Sequence, residues 1–302
     1  MSSNLNDIKQ YLIRLQDSIC NGLAEIDGKS TFKSDKWVRP EGGGGDTRVI
    51  KDGAIYEKGG VNFSHVFGEI PDFINESNNK EGIFHATGVS IVIHPQNPFV
   101  PIIHMNVRYF ELRDNNDDQI KDAWFGGGID VSPAYPNEND TLFFHQYLKN
   151  ECDDIDNTFY PTFKKACDEY FYIQHRKDMR GISGVFYDHL RPKSAAERNL
   201  YFQFMQKIGD SFLPIYKELS NRNRHFQFNE IHKKWQHIRR GRYAEFNLIY
   251  DRGTHFGLKT NGRIESILMS LPPMAEWLYD YHPELGTEEQ KTLAFFQAKD
   301  WV

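Results

Sequence analysis

The sequence predicts an α+β fold: one large antiparallel β-sheet flanked by α-helices on both faces, in a single domain spanning residues 1–302. Three observations carry this. Strand-like segments follow one another closely in the first 130 residues, as antiparallel neighbours do. Helical periodicity dominates the middle of the chain. No internal repeat and no Pro/Gly/Ser linker divides the sequence.

Composition sets the outer limits. Hydrophobic residues make up 39%, aromatics 14% and charged residues 26%, which excludes a disordered chain. No apolar run reaches the length of a membrane helix. Acidic residues outnumber basic ones by 42 to 36, and the net charge of -6 argues against a nucleic-acid surface. Cys20, Cys152 and Cys167 form no CxxC pair, which points to a reducing compartment and a cytoplasmic location. The acidic N-terminus has the features of neither a signal nor a transit peptide.

Taken in order, residues 1–30 read as an N-terminal amphipathic helix. Ile8, Leu12, Leu15, Ile19 and Leu23 fall at helical spacing and Gly28 is the stop. Residues 32–38 read as a strand. EGGGGDTR at 41–48 reads as a loop, because four glycines are entropically costly to order. Its functional form is a mobile cover, with Asp46 and Arg48 closing on a ligand. A hairpin turns at Asp52-Gly53. GVSIVIH and IIHMNVRYFEL are adjacent strands. Residues 114–122 are a polar loop, and 123–130 run from strand into a second glycine cluster. Helices dominate 137–240. Residues 241–260 return to β character and join the same sheet, with turns at Asp251–Gly253 and Asn261-Gly262. A last helix starts near Thr287.

Neither glycine run is a phosphate loop: GGGG at 42–45 lacks a GK[ST] ending, and GGG at 126–128 is not GxGxxG. The strand IIHMNVRYF is more informative. It places His104, Asn106 and Arg108 on one face and Met105, Val107 and Tyr109 on the other. Such a polar face is either solvated sheet or the wall of a pocket. In a pocket, Arg108 grips a carboxylate with its fork and His104 moves protons near neutral pH. Read as a strand, the 241–252 segment puts Glu245, Asn247 and Asp251 on one face. Arg239, Arg240 and Arg242 precede it, and Arg252 and Arg263 follow. Arginines among aromatics suit a flat organic polyanion. His94 and His104 flank the proline-broken connection and can face each other across a strand pair. With His145 and His175 they form a candidate metal set that no HxH or HExxH spacing supports.

The segments GGGGDTRVIKDGAIYEKGGVNFSHVFG, GVSIVIHPQNPFVPIIHMNVRYF, WFGGGIDVSPAYP, YPTFKKACDEYFYIQHR, RGISGVFYD, RRGRYAEFNLIYDRGTHFGL, GRIESILMSLPP and KDWV resemble, in order, the motifs of oxygen-dependent coproporphyrinogen III oxidases. The resemblance runs from about residue 36 to 302. It implies an oxidoreductase of haem and porphyrin biosynthesis. Such enzymes convert coproporphyrinogen III to protoporphyrinogen IX by oxidative decarboxylation of two propionates to vinyls. Dioxygen is the co-substrate, no organic cofactor is required, and the enzyme is a homodimer whose dimerisation region matches 243–278.

By position, the resemblance assigns Ser90, Asn106, Val107, Arg108, Asn261, Gly262 and Arg263 to substrate binding. His104 matches a proton donor. Asp130, Asp251 and Arg252 match charged residues acting on the pyrrole or its propionates. His94, His104, His145 and His175 match a divalent-metal set proposed for bacterial members. Two departures stand out: Phe143 replaces the first histidine of an HxH, and Asp130-Val131-Ser132-Pro133 stands where the family often has DLTP. Two further readings remain: a metal-dependent oxygenase using the four histidines, and a non-catalytic porphyrin-binding protein.

Overall fold

The computed structural model describes residues 4–70, 81–116, 118–259 and 262–302. Helix α1 (Leu5–Asp27) forms where the periodicity predicts. Asn4 and Asp7 cap its start reciprocally, and Gly28 ends it with φ of 71°. Six strands follow: β1 (Lys33–Val38), β2 (Gly43–Lys51), β3 (Tyr56–Glu69), β4 (Ile83–Pro95), β5 (Ile102–Arg113) and β6 (Ile120–Ser132). Each pairs antiparallel with the next. Helices α2 (Glu138–Asp153) and α3 (Phe159–Tyr170) come next, then a small hairpin of β7 (Tyr172–Ile173) and β8 (Asp178–Met179). Strand β9 (Gly184–Leu190) then returns to pair with β6 and completes a seven-stranded sheet. Helices α4 (Ala195–Asn223), α5 (Glu230–Ile249), α6 (Arg252–Lys259), α7 (Ile264–Leu268) and α8 (Glu288–Thr292) finish the chain.

The period of two in the strands gives the sheet two unlike faces. One carries Ile50, Val61, Val89, Ile91, Met105, Val107, Ile129 and Val185, all buried in one core, where α1 covers β3 and β4, α4 covers β5 and β6, and α2 reaches β9. Each such side chain contributes about 1.5–3 kcal/mol by leaving water. The other face is polar and glycine-rich. A single register row crosses it: Thr47, Asn62, Ser90, Asn106 and Gly128. Helix α5 closes one end, where Tyr243 packs on Val92 and Ile102. Helix α3 lies along β9, with Phe163 against Tyr187 on one face and Tyr170 stacked on Phe186 on the other. It thereby covers that sheet edge. Helices thus flank both faces, as expected.

Three expectations are corrected. Gly43, Gly44 and Gly45 are not a mobile cover but ladder residues of β2. Gly45 is required because the Trp37 ring lies 2.6 Å from where a Cβ would stand. Asp46 and Arg48 point to the helix face, where Arg48 also bonds Asp17 of α1. Second, the stretch dominated by helices, 137–240, also contains β9, which the sequence reading leaves unassigned. Third, 241–249 is not a strand but the second half of α5, and no strand after residue 190 joins the sheet among the described residues. Arg239 to Asn247 are buried almost all round. A helix enclosed on all sides loses the polar stripe that marks its period. Consequently Glu245 and Asn247 diverge: Glu245 meets His175 and Arg176, while Asn247 meets Arg180. The last helix does start at Thr287, which caps it.

Candidate active site

The polar face of β4, β5 and β6 assembles the site. His104, Asn106 and Arg108 share it, as alternation predicts. Across the ladder His104 pairs with Asp130, Asn106 with Gly128 and Arg108 with Gly126. On the other side Ser90 pairs with Asn106. Gly88, Gly126 and Gly128 leave the floor between the polar groups without side chains. Phe110 and Trp124 stack at 5.3 Å at one end of this face. Flat ligands and their carboxylates meet the surface they need: bare backbone, aromatic rings and cations.

At the centre, His104 Nδ1 lies 2.7 Å from Asp130 Oδ1. Arg180, from the turn before β9, donates through Nη2 to both Asp130 oxygens at 2.8 and 2.7 Å. Its Nη1 bonds Asn247 at 2.8 Å, and its plane lies against Phe171 and Tyr243. Burial would raise the Asp130 carboxyl, but the charge of Arg180 and the bond from His104 hold it below the ordinary carboxylate range. An ionised Asp130 only accepts, so His104 Nδ1 carries the proton of that bond and Nε2 is the atom left to exchange one. Arg180 was missed at the sequence level. It lies within the RGISGVFYD motif, but no spacing links it to Asp130.

Arg108 Nη2 sits 3.0 Å from Asp188 of β9. Its guanidinium lies over Trp124 at 5.5 Å, and its Nε is buried with no partner among the described residues. Asn106 Oδ1 is likewise buried and unpartnered. Buried polar atoms without a protein partner are open to a bond from another molecule or water. Arg252 approaches Asp188 more loosely, at 4.0 Å, and rests on Tyr170 at 4.8 Å.

The remaining expected residues fall around this centre. Asp251 precedes α6 and caps it: Oδ2 accepts from the Thr254 N–H at 2.7 Å, and Oδ1 from the Tyr170 hydroxyl at 2.9 Å. Arg263 lies at the far side of the same face, paired with Asp35 of β1. Nearby, Thr47 bonds both Asn62 and Ser266 at 2.7 Å. Gly262 donates to the Gly257 carbonyl. Asn261 lies outside the described residues. Val107 lies on the opposite face, as alternation predicts: its side chain is fully buried in the apolar core, and its backbone belongs to the site's strand.

The four histidines do not converge. His94 bonds the Ser270 carbonyl and is held neutral, first by burial and then by Arg240. His104 serves Asp130. His145 is buried between the Ile182 carbonyl and Tyr160, and burial pushes it down to about 3. His175 bonds Glu245 and Tyr250. The expected facing of His94 and His104 is also absent, since His104 pairs with Val92 and His94 with Lys58. Among the described residues no three His, Cys, Asp or Glu side chains gather as an ion's ligands. The residues present do not fit the proposed metal set.

Comparison with known proteins identifies the family. Residues 7–301 match the family described as coproporphyrinogen III oxidase. A relative, coproporphyrinogen-III oxidase 1, chloroplastic, from Arabidopsis thaliana, is 48% identical, with all of this chain and 80% of the relative covered. With a match of that extent, and a glycine-floored face carrying His104, Asn106 and Arg108 in register, the chain belongs to the coproporphyrinogen III oxidase family.

Proposed function

We propose that this chain is an oxidoreductase that converts coproporphyrinogen III to protoporphyrinogen IX with dioxygen as oxidant. Each of two propionates loses its carboxyl carbon as carbon dioxide and becomes a vinyl. Dioxygen takes up the two electrons and two protons and leaves as hydrogen peroxide, which balances the step. The observation that carries this reading is the set of His104, Asn106 and Arg108 on one glycine-floored sheet face, in a chain matched to the family over residues 7–301.

Arg108 orients the reacting propionate, and Arg252 and Arg263 take other carboxylates at the two sides of the face. Asp251 is half-buried and reachable from the face, whereas Asp130 is 2% exposed. Asp251 therefore accepts from the pyrrole N–H groups, and Asp130 fixes His104 so that Nε2 is the atom that exchanges a proton. Ser90 and Asn106 supply polar contacts in the central row. An electron-rich pyrrole reacts with dioxygen itself, so the protein contributes orientation, charge and exclusion of water. The reaction so read needs no organic cofactor and no metal. The reading is supported by the separation of the four histidines.

Exposed Leu248, Ile249, Leu258 and Ile264, all within 243–278, support a homodimer through that region. Sedimentation at micromolar concentration tests it, and a monomer counts against it. Three free, buried cysteines support a reducing, cytoplasmic setting, although the relative is named as chloroplastic. No helix of the described residues is long and apolar enough to cross a membrane. The deciding experiment is aerobic and anaerobic incubation with coproporphyrinogen III, before and after chelator treatment. Carbon dioxide and protoporphyrinogen IX should form only with air, in both samples. Binding without carbon dioxide release would leave a porphyrin-binding protein. Activity lost to the chelator and restored by one metal would overturn the metal-free reading.

A further inference from the structure

Arg108 and Arg252, the two arginines beside the centre, do not stand free. They converge on one carboxylate of the chain itself, Asp188. Its Oδ1 lies 3.0 Å from Arg108 Nη2, and its Oδ2 lies 4.0 Å from Arg252 Nη1. His189 approaches the same carboxylate with Nδ1 at 3.5 Å, and its backbone N–H donates to Oδ1 at 3.0 Å. His189 adopts φ of 53°, a backbone region costly for a residue with a Cβ. The chain therefore bends at some cost beside this carboxylate. On the neighbouring strand, a Cβ on Gly126 would lie 2.9 Å from Asp188 Oδ1 and 3.0 Å from Arg108 Nε. A side chain at 126 would force this pair to shift, so glycine suits their meeting across β6.

We propose that Asp188 is an internal stand-in for the substrate carboxylate, competing for Arg108 and Arg252 and setting how tightly the site holds propionates. This rests on the function proposed above. Asp188 satisfies Arg108 only in part, because it engages Nη2 while Nε stays buried and unpartnered. A propionate that displaces it can engage more of the fork. While the site is empty, Asp188 keeps two arginines from repelling each other and holds Arg108 over Trp124. Once propionates enter, its negative charge opposes them, so a product retaining fewer carboxylates is released more readily.

Competition has a direction that a merely structural role lacks. Asp188→Asn keeps size and can still accept the His189 N–H bond, but removes the charge. Binding of coproporphyrin III, followed by quenching of tryptophan fluorescence, should tighten roughly tenfold, the scale of one partly solvated charge-assisted bond. The tetramethyl ester of the same porphyrin should bind both proteins alike. In turnover, KM and kcat should fall together as product release slows. Asp188→Ala, checked for folding by circular dichroism, should behave in the same sense. Unchanged or weaker binding of the tetracarboxylate by a folded Asp188→Asn protein overturns the proposal, since Asp188 would then only aim Arg108. Failure of the wild-type protein to bind or turn over the tetracarboxylate would instead overturn the proposed function, and this inference with it.

Discussion

Arg180→Met tests the core of the site most severely. The Arg180 and Asp130 side chains are 2% and 3% exposed. Two bonds to Asp130 and one to Asn247 tie the β8–β9 turn, β6 and α5 together at this guanidinium. Methionine preserves much of the packing against Phe171 and Tyr243 but leaves the Asp130 charge buried with only His104 as partner. Breaking a buried pair from one side costs about 3–5 kcal/mol, a large share of the roughly 5–15 kcal/mol available to a domain. At about 2–4 °C per kcal/mol, the melting temperature should fall by about 6–20 °C. The sign with pH follows from the depressed Asp130 carboxyl. Its contribution is present above the unfolded value, about 3.9, and is lost as pH falls through the lower folded value. Arg180→Met should flatten that acid limb. Adding Asp130→Asn removes the stranded charge, so the double variant should melt well above the single one while remaining inactive. Thermal unfolding by circular dichroism at pH 7 and below is the assay. A single-variant shift under about 2 °C, or strictly additive losses in the double variant, would refute the reasoning.

Three further outcomes are expected. Arg108→Lys keeps the charge but loses the fork, and kcat should drop by about 100-fold with melting unchanged. Asp251→Asn should barely move stability, because asparagine caps α6 equally well. Its loss of kcat in aerobic turnover would then measure the carboxylate's work on the pyrroles, and near-normal turnover would remove Asp251 from the mechanism. Gly126→Ala has no unusual φ to violate but drives a methyl between Arg108 and Asp188. The methyl would also meet Arg108 Nε at 3.0 Å and push the guanidinium off its aim, so kcat should fall while circular dichroism stays native, and an unchanged kcat would count against their contact as drawn.

Much of this was legible in the sequence because a strand's alternation is simple. His104, Asn106 and Arg108 could be placed on one face without any structure, and the Asp52-Gly53 hairpin announced itself through its turn. What failed did so for identifiable reasons. Strand β9 hid among helices because seven residues bounded by polar loops carry little periodic signal. The second half of α5 read as β because nearly every side is buried. The glycine quartet read as a loop from backbone entropy alone, whereas the ladder and Trp37 outweigh it. Asp188 and Arg180 were invisible as partners because contacts across a sheet join positions tens of residues apart, and nothing local marks them.

The division of the sheet into an apolar and a glycine-rich polar face also bears on how the chain is made. Helix α1 leaves the ribosome before any strand, so the oily side of β3 and β4 finds a cover almost as soon as it exists, and α4 follows to cover β5 and β6. The other side must wait. Residues that complete it, Asn247, Asp251 and Arg252, emerge some 120 residues after Asp130, about 6–24 s later at ordinary translation rates. A greasy surface exposed that long would invite wrong partners. Serine, asparagine and bare backbone do not, so the same features that suit a porphyrinogen let a half-made protein wait safely for its active site.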